Sequence, residues 1–120
     1  MSAFVERVRN RAAALRRRIA FPESSDPRTI EAVESLRRSG IVEPVLVLDP
    51  ANPATHDAAR RTGAECVDPS SDPRAVDVAA HLLATRQRKG MTAGEAERYS
   101  RMPLFHADGL VRSGAVHGCV

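Results

Sequence analysis

The side chains of this chain that could meet a ligand are arginines and small turn residues, not nucleophiles or metal ligands. Lysine and arginine number 18 against 15 aspartates and glutamates, for a formal net charge of +3. Such a balance suits a polyanion, either a nucleic acid or a polyanionic cofactor, and it also follows from an arginine-rich proteome. The basic residues are interleaved with acidic ones and no aromatic-rich recognition motif accompanies them, so nucleic-acid binding is not expected. His56, His81, His106 and His117 lack metal-site spacing, and His81 is expected on the solvent side of its helix. Cys66 and Cys119 give neither a metal pattern nor a disulfide framework, which fits a reducing cytoplasm. There is no GxGxxG, no GxxxxGK[ST] and no GxSxG, so dinucleotide, P-loop and serine-hydrolase chemistry have no support.

Two places remain. Arg86 ends a helical pattern beside Arg88 and Lys89, where a cation also complements the helix dipole without any ligand. Ser113 and Gly114, with Ala115, are small enough for close ligand approach and equally suit an ordinary tight turn.

The elements that must position these residues read as alternating helices and short aliphatic strands. Val5, Val8, Ala12 and Leu15 put an apolar stripe on a helix from about Ala3 to Arg17. Neither a secretory signal nor a membrane span is expected of this charged, periodic N-terminus. Arg18 to Phe21 reads as a buried strand stopped by Pro22. Asp26-Pro27 starts a helix carrying Ile30, Val33 and Leu36, and Gly40 ends it. Pro44 to Leu48 reads as a fully buried strand, Pro53 to Arg61 as a short helix, and Ala64 to Val67 as a weaker strand.

Asp72-Pro73 repeats the helix-start signal before a helix whose stripe is Val76, Ala79, Ala80 and Leu83, ended by Gly90. Thr92 and Glu95 have capping-box spacing, so a further helix should run to Ser100. Asp108 to Val111 reads as the last strand. The fold class is α/β, a layered α/β/α arrangement around a short, mostly parallel sheet, in one domain over residues 1–120.

Four stretches in order carry a family resemblance. They are Ile19-Ala20-Phe21-Pro22-Glu23 with Asp26 and Arg28; Gly40-Ile41-Val42-Glu43-Pro44; Arg86-Gln87-Arg88-Lys89-Gly90-Met91-Thr92; and Ala107-Asp108-Gly109-Leu110-Val111 with Ser113-Gly114-Ala115-Val116-His117. Together they resemble the N-terminal portion of phosphate acetyltransferases and phosphate butyryltransferases. The resemblance implies an isocitrate/isopropylmalate dehydrogenase-like fold, here incomplete, and a place in acetate metabolism. It implies reversible acyl transfer between acetyl-CoA and inorganic phosphate, giving acetyl phosphate and coenzyme A. No metal or redox cofactor is implied, the coenzyme A thioester being a substrate. It further implies a coenzyme A contact for Arg86 and a ligand-binding loop at a strand end for Ser113 and Gly114.

Departures from the family pattern accompany the matches. Phe105 runs straight into His106-Ala107-Asp108, so the helix that precedes the family's Asp-Gly-Leu-Val strand is expected to be missing, and Arg112 reads as an insertion. The Ser/Thr-rich segment ending in Arg-Pro does not follow His117, and the catalytic Ser-Arg and Asp of the family have no counterparts. The chain alone is therefore expected to be inactive and marginally stable. It is expected either to be a truncated enzyme fragment or to dock on a full-length homologue, with a homodimer following the family.

Overall fold

In the computed structural model, which describes residues 2–120, short parallel strands alternate with helices along the chain. The strands are β1 (Arg18–Phe21), β2 (Glu43–Val47), β3 (Glu65–Val67) and β4 (Gly118–Cys119). The sheet order is β3-β2-β1-β4, every pairing parallel, with Ala20 opposite Val45 on one side and Cys119 on the other. Side chains alternate across the sheet as a pleated strand requires. Ala20, Val45 and Val47 bury one face, while Phe21, Leu46 and Leu48 bury the other.

The Phe21 face is covered by α2 (Pro27–Ser39), through Val33, and by α3 (His56–Arg61), through Ala59. The Ala20 face is covered by α6 (Pro103–Ser113), through Ala107 and Leu110. Behind α6 lie α4 (Ala75–Arg86) and α5 (Ala93–Ser100), joined in a satellite cluster of Val78, Leu82 and Ala96. The layered α/β/α reading holds.

Local signals account for the best-read elements. Asp26 accepts from the Arg28 amide at 2.9 Å, Pro27 occupies the first turn, and Gly40 takes the left-handed cap with φ 67°. Thr92 and Glu95 form the reciprocal capping box.

Three expectations are corrected. First, Asp108 to Val111 is not a strand: it lies inside α6, and the strand beside β1 is Gly118–Cys119. The helix expected to be missing is therefore present as α6. Arg112 is the basic residue of its last turn, where a cation suits the dipole. Second, the phase of α4 is rotated. Val78 and Leu82 are buried while Val76 is 73% exposed, because α5 and α6 approach from another side. His81 is half-buried rather than on the solvent side. Third, α4 begins only at Ala75, although the Asp72 carboxylate accepts from the Arg74 amide at 3.0 Å, as Asp26 does from that of Arg28, besides meeting the Arg74 side chain and His106.

The first helix, α1 (Ala3–Leu15), forms as expected but ends when Arg16 adopts φ 48°. It buries none of its residues, and Phe4, Val8 and Leu15 stay 67%, 51% and 53% exposed.

Candidate functional site

Strand order decides where a ligand can sit. The chain winds from β1 to β2 and β3 on one side and returns to β4 on the other, so the winding reverses between β1 and β4. In open parallel sheets the crevice beyond the carboxyl ends at such a reversal is the usual binding place. Here it is a furrow formed by two adjoining hollows of about 400 and 520 Å³, which share Glu23, Asp26 and Arg28. Phe21 and Val120 line its inner part, and Met102, Pro103 and Leu104 form its far wall. The loop from β1 to α2 is tied down by Ser24, which is buried and donates its hydroxyl to the Val47 carbonyl at 2.7 Å.

Charge in the furrow is mixed. The Arg28 guanidinium donates to Asp26 at 2.9 Å, and this hydrogen bond, with that from the Arg28 amide, holds the Asp26 carboxyl below its ordinary range. Arg28 stays largely exposed, so its fork can turn toward an anion arriving at the start of α2.

A second hollow of about 520 Å³ contains Arg86. Lys89, Gly90, Met91, Glu95, Tyr99 and Phe105 complete its lining. The Arg86 guanidinium carbon stands 5.4 Å from the Phe105 ring centroid, and Tyr99 lies 5.3 Å from the same ring. This combination offers cations for phosphate and a flat apolar surface for a heterocycle. The first turn of α6 separates the two hollows: Pro103 and Leu104 border the furrow, and Phe105 borders the Arg86 hollow.

Ser113 and Gly114 are not at a strand end. Ser113 closes α6 and Gly114 caps it with φ 82°, donating to the Val111 carbonyl. They precede Ala115, whose carbonyl accepts from Arg18, so they lie at the amino edge of the sheet, opposite the furrow. The structure thus leaves Arg86 near the candidate site and moves the other two away.

Neither thiol is activated: burial pushes both Cys66 and Cys119 up. Among the described residues, no group of three or more His, Cys, Asp and Glu could hold a metal ion.

The family model described as phosphate acetyl/butaryl transferase matches residues 3–120. The chain belongs to this family. The phosphate acetyltransferase of Paracoccus denitrificans is 34% identical over 116 residues, which cover 97% of this chain and 34% of that protein. The phosphate acetyltransferase of Deinococcus radiodurans is 33% identical over 129 aligned positions, covering 97% of this chain and 18% of that one. A phosphotransacetylase from Streptococcus pyogenes superposes with a TM-score of 0.77 at 20% identity, over 99% of this chain and 37% of its own. The EutD phosphotransacetylase from Staphylococcus aureus gives 0.73 at 17% identity, over 93% and 34%. This chain of the phosphate acetyl/butaryl transferase family thus spans about a third, or less, of the length of these relatives.

The furrow residues Glu23, Asp26 and Arg28 belong to a stretch that carries the family resemblance but does not read as a site. Only the order β2-β1-β4 gives them that position, and no local pattern encodes sheet order.

Proposed function

We propose that this chain forms one wall of a phosphate acetyltransferase, working with acetyl-CoA and inorganic phosphate in a cytoplasmic enzyme. The observation that carries this reading is the family match over residues 3–120, with the furrow lying at the winding reversal of the sheet. On this reading residues 1–120 are a single, partial N-terminal domain. Acyl transfer must hold two anionic partners together, activate phosphate or thiol with a base, and stabilise a tetrahedral oxyanion. Arg86, with Lys89 and the Tyr99–Phe105 pair, supplies a coenzyme A subsite, while Arg28 faces the furrow where the second anion would enter. The base and the oxyanion donors come from the remainder of a full-length enzyme, so this chain alone binds coenzyme A without turnover. No resident metal or redox group is needed.

The test is calorimetric titration of coenzyme A into the chain, alongside a thioester-formation assay with acetyl phosphate. Weak binding that falls about tenfold in Arg86→Ala, with no turnover, is the expected result. Turnover by the isolated chain, or binding unaffected in Arg86→Ala, refutes the assignment.

A second reading has a specific observation behind it. The bare apolar stripe of α1 and the outer edge of β4 suit a non-catalytic module that docks on a full-length homologue, or a homodimer. Copurification with such a homologue separates this from the first reading. Among the described residues no helix is long and apolar enough to cross a membrane.

A further inference from the structure

The first helix, α1, is capped at both ends and covered by nothing. Ser2 accepts from the Val5 amide at 3.2 Å, and Arg16 closes the other end in the left-handed conformation. None of its residues is buried, and only Ala12 and Ala13 are half-buried. A helix of 13 residues without tertiary cover is marginal in water, so α1 gains from a partner laid along it.

The sequence of α1 says which face that partner takes. Phe4, Val8, Arg11 and Leu15 follow one another at steps of four, three and four residues, the seam spacing of a helix that pairs with another helix. Val5 and Ala12 widen the seam on one side. One seam position is therefore an arginine. Helical spacing sets Arg7 and Arg9 on the two borders of the stripe and Glu6, the only acid of α1, on the far side. Among the described residues, Arg7, Arg9 and Arg11 form no ion pair. Enclosing Arg11 in a helix contact without a carboxylate would forfeit much of what the apolar stripe gains.

These charges discriminate between occupants. A second copy laid antiparallel on α1 would gather Arg7, Arg9 and Arg11 of both helices at the middle of the seam, with no carboxylate among them. A parallel copy would set Arg11 against Arg11. An anionic bilayer also fits poorly. The stripe offers one Phe and one Leu beside valines and an alanine, and the far face, with Glu6, Asn10 and Ala13, lacks the dense charge of an interfacial helix.

We propose that α1 is one half of a two-helix seam whose partner is an acidic amphipathic protein helix, with a carboxylate facing Arg11 and further acids beside Arg7 and Arg9. The proposal rests on the docking reading and gives that reading its partner chemistry.

The probe is a synthetic helical peptide of about 21 residues, with a leucine seam interrupted by one glutamate and glutamates on both flanks. Its counterpart carries lysine in place of every glutamate. Each is titrated calorimetrically into the full chain at low salt. The acidic peptide should bind one-to-one, and the lysine peptide at least about tenfold more weakly. Arg11→Glu should reverse that preference, and Phe4→Asp should lose both peptides. Because α1 contributes nothing to the core, thermal melts of both variants should match that of the unaltered chain. Equal binding of the two peptides, a preference unchanged in Arg11→Glu, or binding intact in Phe4→Asp overturns the proposal. So does a dimer of the chain alone that Phe4→Asp dissolves, which would assign α1 to a second copy. Cosedimentation with phosphatidylglycerol vesicles that Phe4→Asp abolishes would assign it to lipid instead. Copurification with a full-length homologue keeps the two failures apart: docking that survives in both variants overturns the α1 seam and leaves the docking reading standing on the edge of β4.

Discussion

Replacing Gly109 by alanine would put a methyl group where α4 and α6 leave no room for one. A Cβ built at Gly109 falls 2.4 Å from Val78 Cγ2 and 3.5 Å from Val78 Cβ, and both residues are buried. Within a helix, alanine is favoured over glycine by about 0.5–1 kcal/mol, which by itself would stabilise the protein. Forcing extra volume into a packed helix contact costs about 1–3 kcal/mol, and a 2.4 Å approach to a stiff β-branched side chain belongs in the upper half of that range. The net expectation is a loss of about 1–2 kcal/mol, or a fall in Tm of roughly 4 °C per kcal/mol for a domain of this size.

Val78→Ala removes the obstructing methyl. In that background Gly109→Ala should become stabilising by about 0.5–1 kcal/mol, so the double-mutant cycle has a coupling energy of roughly 2 kcal/mol. Urea unfolding of the four proteins, followed by far-UV circular dichroism, measures all the terms. Gly109→Ala stabilising the unaltered chain, or a coupling near zero, would refute the helix contact and with it the assignment of residues 103–113 to α6.

Two other perturbations test separate parts of the structure. Val76→Lys should change stability by no more than about 0.5 kcal/mol, whereas Val78→Lys should unfold the chain by burying an unpaired charge. Thermal melts that rank the two the other way would restore the stripe through Val76. Asp72 is depressed in the folded state, so its stabilisation is present above its ordinary value of 3.8 and is lost as pH falls through its lower folded value. Asp72→Asn should therefore be less stable by roughly 3 kcal/mol at pH 6 and converge on the unaltered chain in acid. A stability difference unchanged down to about pH 2, measured by urea midpoints, would contradict this.

How far the sequence could be read depended on the range of the signals. The Asp26-Pro27 start, the Gly40 stop and the Thr92–Glu95 box act over two to five residues, and each is found where its spacing places it. The aliphatic runs at Ile19–Phe21 and Pro44–Leu48 are hydrophobic throughout because both sheet faces are covered, and they were legible for that reason. Asp108 to Val111 reads as a strand because Asp-Gly-Leu-Val looks like a turn and a strand when taken alone. The competing helix signals, Pro103 in the first turn and Gly114 at the cap, were present but lie eleven residues apart. Arg86 was named from its neighbours in sequence, while its stacking on Phe105 joins residues distant along the chain.

By itself, then, the sequence determined the class of fold, most element boundaries and the family, because these depend on local backbone preference, hydrophobic period and ordered short motifs. Tertiary structure alone decided that β4 returns beside β1, which creates the furrow at Glu23, Asp26 and Arg28. It also decided that α4 turns Val78 rather than Val76 inward, and that Asp72 meets His106 across 34 residues of chain. The physical reason is the same in each case. A backbone amide finds its partner within a few residues, but a buried side chain or a strand edge takes whichever partner the packing brings to it, and that partner is not written in the adjacent sequence.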